Sequence, residues 1–325
     1  MWKLLHVVLA PVLGIASTSA KQSALFLGSC ALLSLLVYVR QARRPRIRGA
    51  LRYCFPVRLF RHPSSVSDLK VMLLNTLLLL PLAPAVTATA MASYGGIQHG
   101  LKMLAGADAL GLPITTGSML VATLVNVLAI ELTLFLTHYA QHKVPLLWEF
   151  HKTHHSAKVL TPFTVFRMHP VDLFVIAIVN AALIGATSSA FVFLFGTNPV
   201  LSILGNNVFV FAFYLFGYNL RHSHVWLMYP GWLGRHISGP ALHIIHHSID
   251  PRHRDKNLAQ IFTFWDRMAG TLYLPAGKEA IEIGIGNGEE VEFRTLPALY
   301  FLPFKKSWSR FVARRPVVSS TPAQP

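Results

Sequence analysis

Sixteen histidines stand in this chain of 325 residues, thirteen of them between His138 and His253. His138-Tyr-Ala-Gln-His142 is an HxxxH run. His151-Lys-Thr-His154-His155 and His243-Ile-Ile-His246-His247 are two HxxHH runs, and His222 and His224 lie between them. Offsets of three and four put rings on one face of a helix. Imidazole suits zinc, copper, iron and nickel. The eight histidines of the three runs exceed what one ion takes. They imply two metals, or one metal with idle histidines. Without metal, crowded imidazolium charges repel. The bland alternative is surface histidines beside lipid headgroups; three repeats of helical spacing on one membrane face count against it.

Those rings need a scaffold, and the composition names it. The chain is 53% hydrophobic and 13% charged, against roughly 25% charged in soluble domains. That excludes an ordinary soluble domain, and disorder more firmly. Two Cys, neither in a ligand spacing, exclude a disulfide scaffold. Crossing a bilayer takes about 20 apolar residues. Residues 118–137, 173–195 and 200–220 qualify, as do 71–94, with a kink expected at Pro81 and Pro84, and the shorter 24–39. Residues 2–20 read as a signal peptide, a span or an interfacial helix, with an uncleaved hydrophobic segment preferred. Lys and Arg number nine over residues 40–70, one over 95–117, four from His138 to Arg167, and thirteen from Arg221 onward. The positive-inside rule then puts 40–70, 138–172 and 221–325 together on the cytoplasmic side. A two-span hairpin over 173–220 returns the chain to the face it left, so both histidine segments meet there. The net charge of +16 is read as topology, with anionic lipid as a compatible partner and nucleic acid not expected.

With these motifs in this order, the sequence resembles the fatty acid hydroxylase superfamily, also called the sterol desaturase family. The match rests on His138–His142, His151–His155, His222, His243–His247, the run Asp255-Lys-Asn257, and Phe264-Trp265-Asp266-Arg-Met-Ala-Gly270-Thr271-Leu-Tyr. It covers roughly residues 118–273. The resemblance implies a membrane-embedded non-haem di-iron oxygenase, with two Fe ions and O2 as co-substrate, although zinc occupies such positions in some structures. The implied ligands are His138, His142, His151, His154, His155, His222, His243, His246 and His247. His222 is the least secure, because His224 is two residues away. His169 is read as supporting or loop structure, and His253 has no secure counterpart. His6, His62, His99 and His236 are read as structural or exposed.

The residues support the same chemistry without the family. Activating O2 needs a redox metal, which excludes zinc as catalyst. Ligating histidines donate their other ring N–H to carboxylates or carbonyls; candidates are Glu131, Asp172, Asp255 and Asp266, with Glu149 and Asp250. Glu131 lies inside an apolar span, about two turns before His138. Its alternative role is a carboxyl satisfied by a neighbouring element. Asn126, Asn206, Asn207 and Asn219 are read as helix glue or substrate contacts.

The expected architecture is an all-α, multi-pass membrane bundle of four to six spans with a cytoplasmic helical cap carrying the dimetal site. Residues 1–117 form the N-terminal membrane region with the basic loop 40–70, 118–275 the catalytic domain, and 276–325 a cytoplasmic extension. Within that extension, residues 281–293 read as a small hairpin and 310–325 as a disordered tail. Cys54 is read as a free thiol, with lipidation the alternative. The expected function is O2-dependent hydroxylation of a membrane lipid (fatty acyl, sterol-like or polar headgroup), with desaturation the alternative. No haem or flavin signature is present, so electrons come from a separate electron-transfer protein. A zinc-dependent membrane hydrolase is disfavoured by the lack of H-E-x-x-H. A metal transporter is disfavoured because its site would lie near the midplane. A bacterial inner membrane is favoured over the ER.

Overall fold

The computed structural model describes residues 23–313; residues 2–20 and the end of the tail lie outside them. Helix α1 (Ala24–Gln41) is followed by α2 (Ile47–Cys54) and α3 (Pro63–Leu78). A 3-10 turn at Leu80–Leu82 joins α3 to α4 (Ala83–Ala105), so the expected kink falls where Pro81 and Pro84 withhold backbone donors. Next come α5 (Thr116–Lys143), α6 (Pro145–His155) and α7 (Pro170–Phe195). Four helical stretches are long and apolar enough to cross a bilayer: Ala24–Gln41, Pro63–Ala105, Thr116–Lys143 and Pro170–Phe195.

Local sequence sets the joints. Thr115 and Ser118 form a reciprocal cap at the start of α5. Pro145 disfavours helical geometry at Val144, which is extended at φ −93°, ψ 111°. The chain therefore turns between α5 and α6 and sets HxxxH beside the first HxxHH. Along α4 and α7 small residues let the backbones touch. Ser93 Oγ donates to the Ala182 carbonyl at 2.7 Å, and a Cβ on Gly185 would collide with the Ala90 carbonyl oxygen.

Residues 200–220 are not a spanning helix, which corrects the expectation. Strands β1 (Ser202–Ile203) and β2 (Asn206–Asn207) pair antiparallel, with Leu204 and Gly205 both at positive φ, as a two-residue hairpin turn requires. The hairpin is tied low on α5: Leu201 N donates to Thr123 Oγ1 at 2.8 Å, and Asn207 Nδ2 reaches Thr123 O at 2.9 Å and Asn126 Oδ1 at 3.0 Å. Thr123 is roughly 22 Å along the helix axis from His138. Helix α8 (Val208–Leu215) climbs back from there. Gly217, at φ 126°, then turns the chain into a short 3-10 segment that delivers His222. The return to the histidine side is thus made by a hairpin and a two-turn helix. Hydropathy read the apolar run correctly and missed its turn residues.

Helix α9 (Pro240–His246), α10 (Phe264–Ala269) and α11 (Leu296–Ala313) complete the cap. Residues 281–293 do not pair with themselves, a second correction. Ile249 N donates to Glu282 O at 3.0 Å and Gly284 N to His247 O at 3.3 Å, so the segment backs the end of α9, and Glu289–Phe293 is a 3-10 turn. Residues 310–313, read as tail, belong to α11.

The α4–α7 seam gives a test. Gly185→Ala forces the two backbones apart and is expected to cost about 1–3 kcal/mol, read as a lower melting temperature in detergent. Gly28→Ala, where an added Cβ meets nothing within 4 Å, leaves melting unchanged.

Candidate metal centre

The nine histidines singled out as ligands converge in two groups. One holds His138, His142, His151, His155 and His246; the other holds His154, His222, His243 and His247. In each group the candidate ligand atoms lie within 4.8 Å of one another. Helix geometry explains the division. Rings at i and i+4 differ by about 40° around the axis and rings at i and i+3 by about 60° the other way. His151 and His155 therefore turn to one group and His154 to the other. On α9 the pattern is mirrored: His243 and His247 join the second group and His246 the first. The groups share a wall, with the His155 and His247 rings 4.6 Å apart between centroids.

The rings are oriented by their outer nitrogens. His138 Nδ1 meets Leu258 O at 2.7 Å, His246 Nδ1 meets Lys256 O at 2.9 Å and His154 Nδ1 meets Arg167 O at 3.3 Å. His142 Nδ1 pairs with Asp255 Oδ1 at 3.2 Å and His151 Nδ1 with Asp172 Oδ2 at 3.4 Å. A ring that donates from Nδ1 carries its lone pair on Nε2. The Nε2 atoms of His142, His151, His155 and His246 are buried without hydrogen-bond partners. In the second group, Nε2 of His222 lies 3.2 Å from that of His154 and 2.9 Å from that of His243, which is 3.3 Å from that of His247. Two nitrogens each about 2.1 Å from one ion at right angles lie about 3.0 Å apart. Inward nitrogens at this spacing fit a metal ion in each group; His243 is the exception in protonation, because its Nδ1 accepts from Arg221, which puts a neutral ring's proton on Nε2, and it ligates only once that proton is lost.

The histidines outside the spans are also in the right charge state. Burial, ahead of repulsion from neighbouring rings, holds His154, His155, His243, His246 and His247 well below the ordinary histidine range. Burial pushes His151 down to about 3. These rings are neutral at pH 7, as ligands must be.

The comparisons with known proteins agree with this geometry. Residues 123–271 match the family model described as fatty acid hydroxylase, and all nine histidines fall inside that range. Residues 123–271 are a domain of the fatty acid hydroxylase superfamily. Over 149 residues, 45% of the chain, it is 28% identical to cholesterol 25-hydroxylase of Homo sapiens, covering 48% of that protein. It is 23% identical over 57% of the chain to alkylglycerol monooxygenase of Danio rerio, covering 37% of that protein. It is 29% identical over 53% of the chain to a very-long-chain aldehyde decarbonylase of Oryza sativa subsp. japonica, covering 27% of that protein. The chain thus spans about half or less of the relatives it matches. No solved structure matches it. With the apolar helices, the family makes this an integral membrane protein.

Within residues 123–271 the four carboxylates divide. Asp172 and Asp255 touch ligand-type histidines directly. Glu131 and Asp266 touch none and act through backbone. Asp266 accepts from Leu258 N at 2.8 Å, Ala259 N at 2.9 Å and Thr271 Oγ1 at 2.6 Å. Glu131 accepts from Ile261 N at 2.7 Å and Phe262 N at 3.1 Å. Asn257, at φ 57°, accepts from Tyr273 N at 2.8 Å and donates to Leu242 O at 3.2 Å. Residues 255–262 therefore form a clamped collar whose Asp255, Lys256 and Leu258 present three acceptors to three rings. Glu149 pairs with Lys152 and Arg310, and Asp250 with Arg252, away from the rings. His169 caps α7 and donates to Tyr300 O at 3.0 Å; His224 meets Tyr53 O at 2.9 Å and joins neither group. His253 lies 3.1 Å from Glu279.

Sequence reasoning missed the carbonyls of Arg167, Lys256 and Leu258, which no residue type announces. It also missed Arg221. This side chain is 3% exposed and donates from Nη2 to His243 Nδ1 at 2.9 Å. It had been counted only as a topology charge.

Two outcomes follow from this geometry. Asp266→Ala strands the Leu258 and Ala259 N–H groups at about 1–3 kcal/mol each, and hydrogen exchange over residues 258–262 should accelerate. In metal-free protein, rings that protonate near pH 6.5 unfolded but stay neutral folded favour the fold above that pH. The advantage is lost as pH falls toward the lower folded value, at up to about 1.4 kcal/mol per ring per pH unit. Melting temperature should drop steeply from about pH 7 to 5 and stay level above; a level profile on the acid side would contradict buried neutral rings.

Proposed function

We propose that this protein is an O2-dependent hydroxylase of a membrane lipid, with the nine histidines as ligands to two iron ions. The observation that carries the reading is the two groups of inward-facing histidines opening on one largely apolar cavity. Bound iron supplies O2 activation and the two-electron oxidation of a C–H bond. The balance is R–H + O2 + 2 e− + 2 H+ giving R–OH + H2O, with the electrons delivered one at a time by a separate carrier protein.

The chain's own residues do the rest. The cavity, about 510 Å³, is lined by His138, His151, His154, His222 and His243 together with apolar side chains such as Leu134 and Ile176. Apolar walls and a few convergent polar groups are what a lipid site needs. The collar and Asp172 keep the rings aimed while the lipid comes and goes. Leu79, Leu134 and Ile176 come from the spanning stretches, which gives an acyl or sterol-like body a route from the bilayer with little exposure to water. The relatives named above include a hydroxylase and a monooxygenase, which supports oxygen insertion over desaturation. The distribution of Lys and Arg supports a cytoplasmic site, and its basic surroundings suit an acidic electron carrier. A bacterial inner membrane is the location we propose for it.

His154→Ala and His246→Ala each remove a ligand from a different group. Each is expected to lower bound metal per chain and to abolish reductant-dependent O2 uptake, with membrane insertion retained. Metal analysis and an oxygen electrode check this. Full turnover in both variants would defeat the assignment.

A further inference from the structure

Arg221 is a buried cation that touches no carboxylate; Glu131 and Asp266 act on it only at longer range. Its Nη1 donates to Gln260 O at 3.0 Å, and its Nη2 to Ala259 O at 3.3 Å and to His243 Nδ1 at 2.9 Å. These partners are neutral. Among the described residues it forms no ion pair. Its Nε is buried with no hydrogen-bond partner. Burying a guanidinium without an anion or a full set of acceptors is costly. The contrast with Arg167 is direct: that buried guanidinium meets Asp68 Oδ1 at 3.1 Å.

The location gives the unpaired charge a use. Arg221 lines the cavity beside His243, whose Nδ1 it meets, and the apolar part of the lining includes Leu79, Leu134, Leu173 and Ile176. A molecule that fills this cavity favourably puts an acceptor oxygen against Arg221 and hydrocarbon along the leucines. The reverse orientation leaves the guanidinium against methylenes.

We propose that Arg221 receives the terminal oxygen of the substrate, so that a lipid ending in a carboxylate or hydroxyl binds with that end innermost and is oxidised within a few carbons of it. The shared chemistry is an acceptor oxygen on a hydrocarbon chain. The site of oxidation rests on the hydroxylase reading; the preference in binding does not. The balance is that given above: a C–H bond near the oxygenated end becomes C–OH, the second oxygen atom leaves as water, and a one-electron carrier protein supplies both electrons. Arg221 takes no part in the electron transfer and acts by fixing which carbon faces the histidines.

The experiment uses the full-length protein in detergent, with dodecanoate, dodecan-1-ol and dodecane as probes, and binding read by titration calorimetry. Dodecanoate or dodecan-1-ol should bind at least tenfold more tightly than dodecane. A lead for dodecanoate identifies a carboxylate terminus and a lead for dodecan-1-ol a hydroxyl; both support the proposal. R221Q should erase the gap, and R221K, which keeps the charge but loses Nε, should narrow it. Equal binding of all three by the wild-type protein overturns the proposal whether or not the variants fold, as does an undiminished gap in folded R221Q. With reductant and O2, mass spectrometry should place new oxygen near the oxygenated end; oxidation at the far end overturns the proposal. A preserved binding gap with no oxidation of any lipid leaves the Arg221 subsite standing and counts against the hydroxylase reading.

Discussion

The structure depends on keeping nine imidazoles buried, neutral and facing inward. An imidazole has two nitrogens, and a ligand needs the lone pair on the one that faces the ion. The proton must then sit on the other, and something must accept it there. Five of the nine rings have that acceptor fixed at Nδ1, three of them through main-chain carbonyls. A carbonyl presents no competing proton and stays as rigid as the backbone behind it. This is why so much of the fold serves residues 255–262. Glu131 reaches up from a spanning helix, Asp266 reaches back from α10, and Asn257 sits in left-handed geometry to hold one stretch of chain still. Disturbing the collar moves three acceptors together.

The same constraint shapes the helices that carry the rings. A histidine pair at i+3 and i+4 diverges by about 100° around the axis, so each HxxHH serves both groups. One short helix from each half of the domain therefore suffices to build a wall common to two sites. The remaining positions are supplied by the end of α5 and by the turn after α8. That turn must arrive at the correct height, and the anchoring of the 202–207 hairpin on Thr123 and Asn126 fixes where the climb begins.

This division explains what the sequence could and could not disclose. The histidine groups were legible because their spacing is local and helical. Four of the apolar stretches were legible because length and hydropathy are local too. The stretch at 200–220 was misread because hydropathy ignores where a chain turns; Gly205 and Gly217 carried that signal. The alternation over 281–293 pointed to strand-like backbone but could not name its distant partner, His247–Ile249. Acceptors made of main chain leave no trace in residue types. Arg221 was hidden differently: in a chain rich in basic residues, one buried guanidinium looks like another topology charge until it is seen to touch no carboxylate.

The site also reaches beyond the region that the family model matches. All nine rings lie within residues 123–271, yet α3 lies outside, and it supplies Met72, Asn75 and Thr76, with Leu79 just after it, to the cavity wall. Its Asp68 pairs with Arg167, whose carbonyl orients His154. Helix α11 is outside as well. Tyr300 OH donates to Asn75 Oδ1 at 2.8 Å, Thr153 Oγ1 donates to Leu299 O at 3.1 Å, and Arg310 meets Glu149. These contacts bury the back of α6, where Lys152 is 3% exposed between two ligand-type histidines. Similarity over the shared region therefore speaks to the histidine geometry, which that region contains whole. It says much less about the lipid, because part of the wall that lipid must fit is built by α3, outside the matched range.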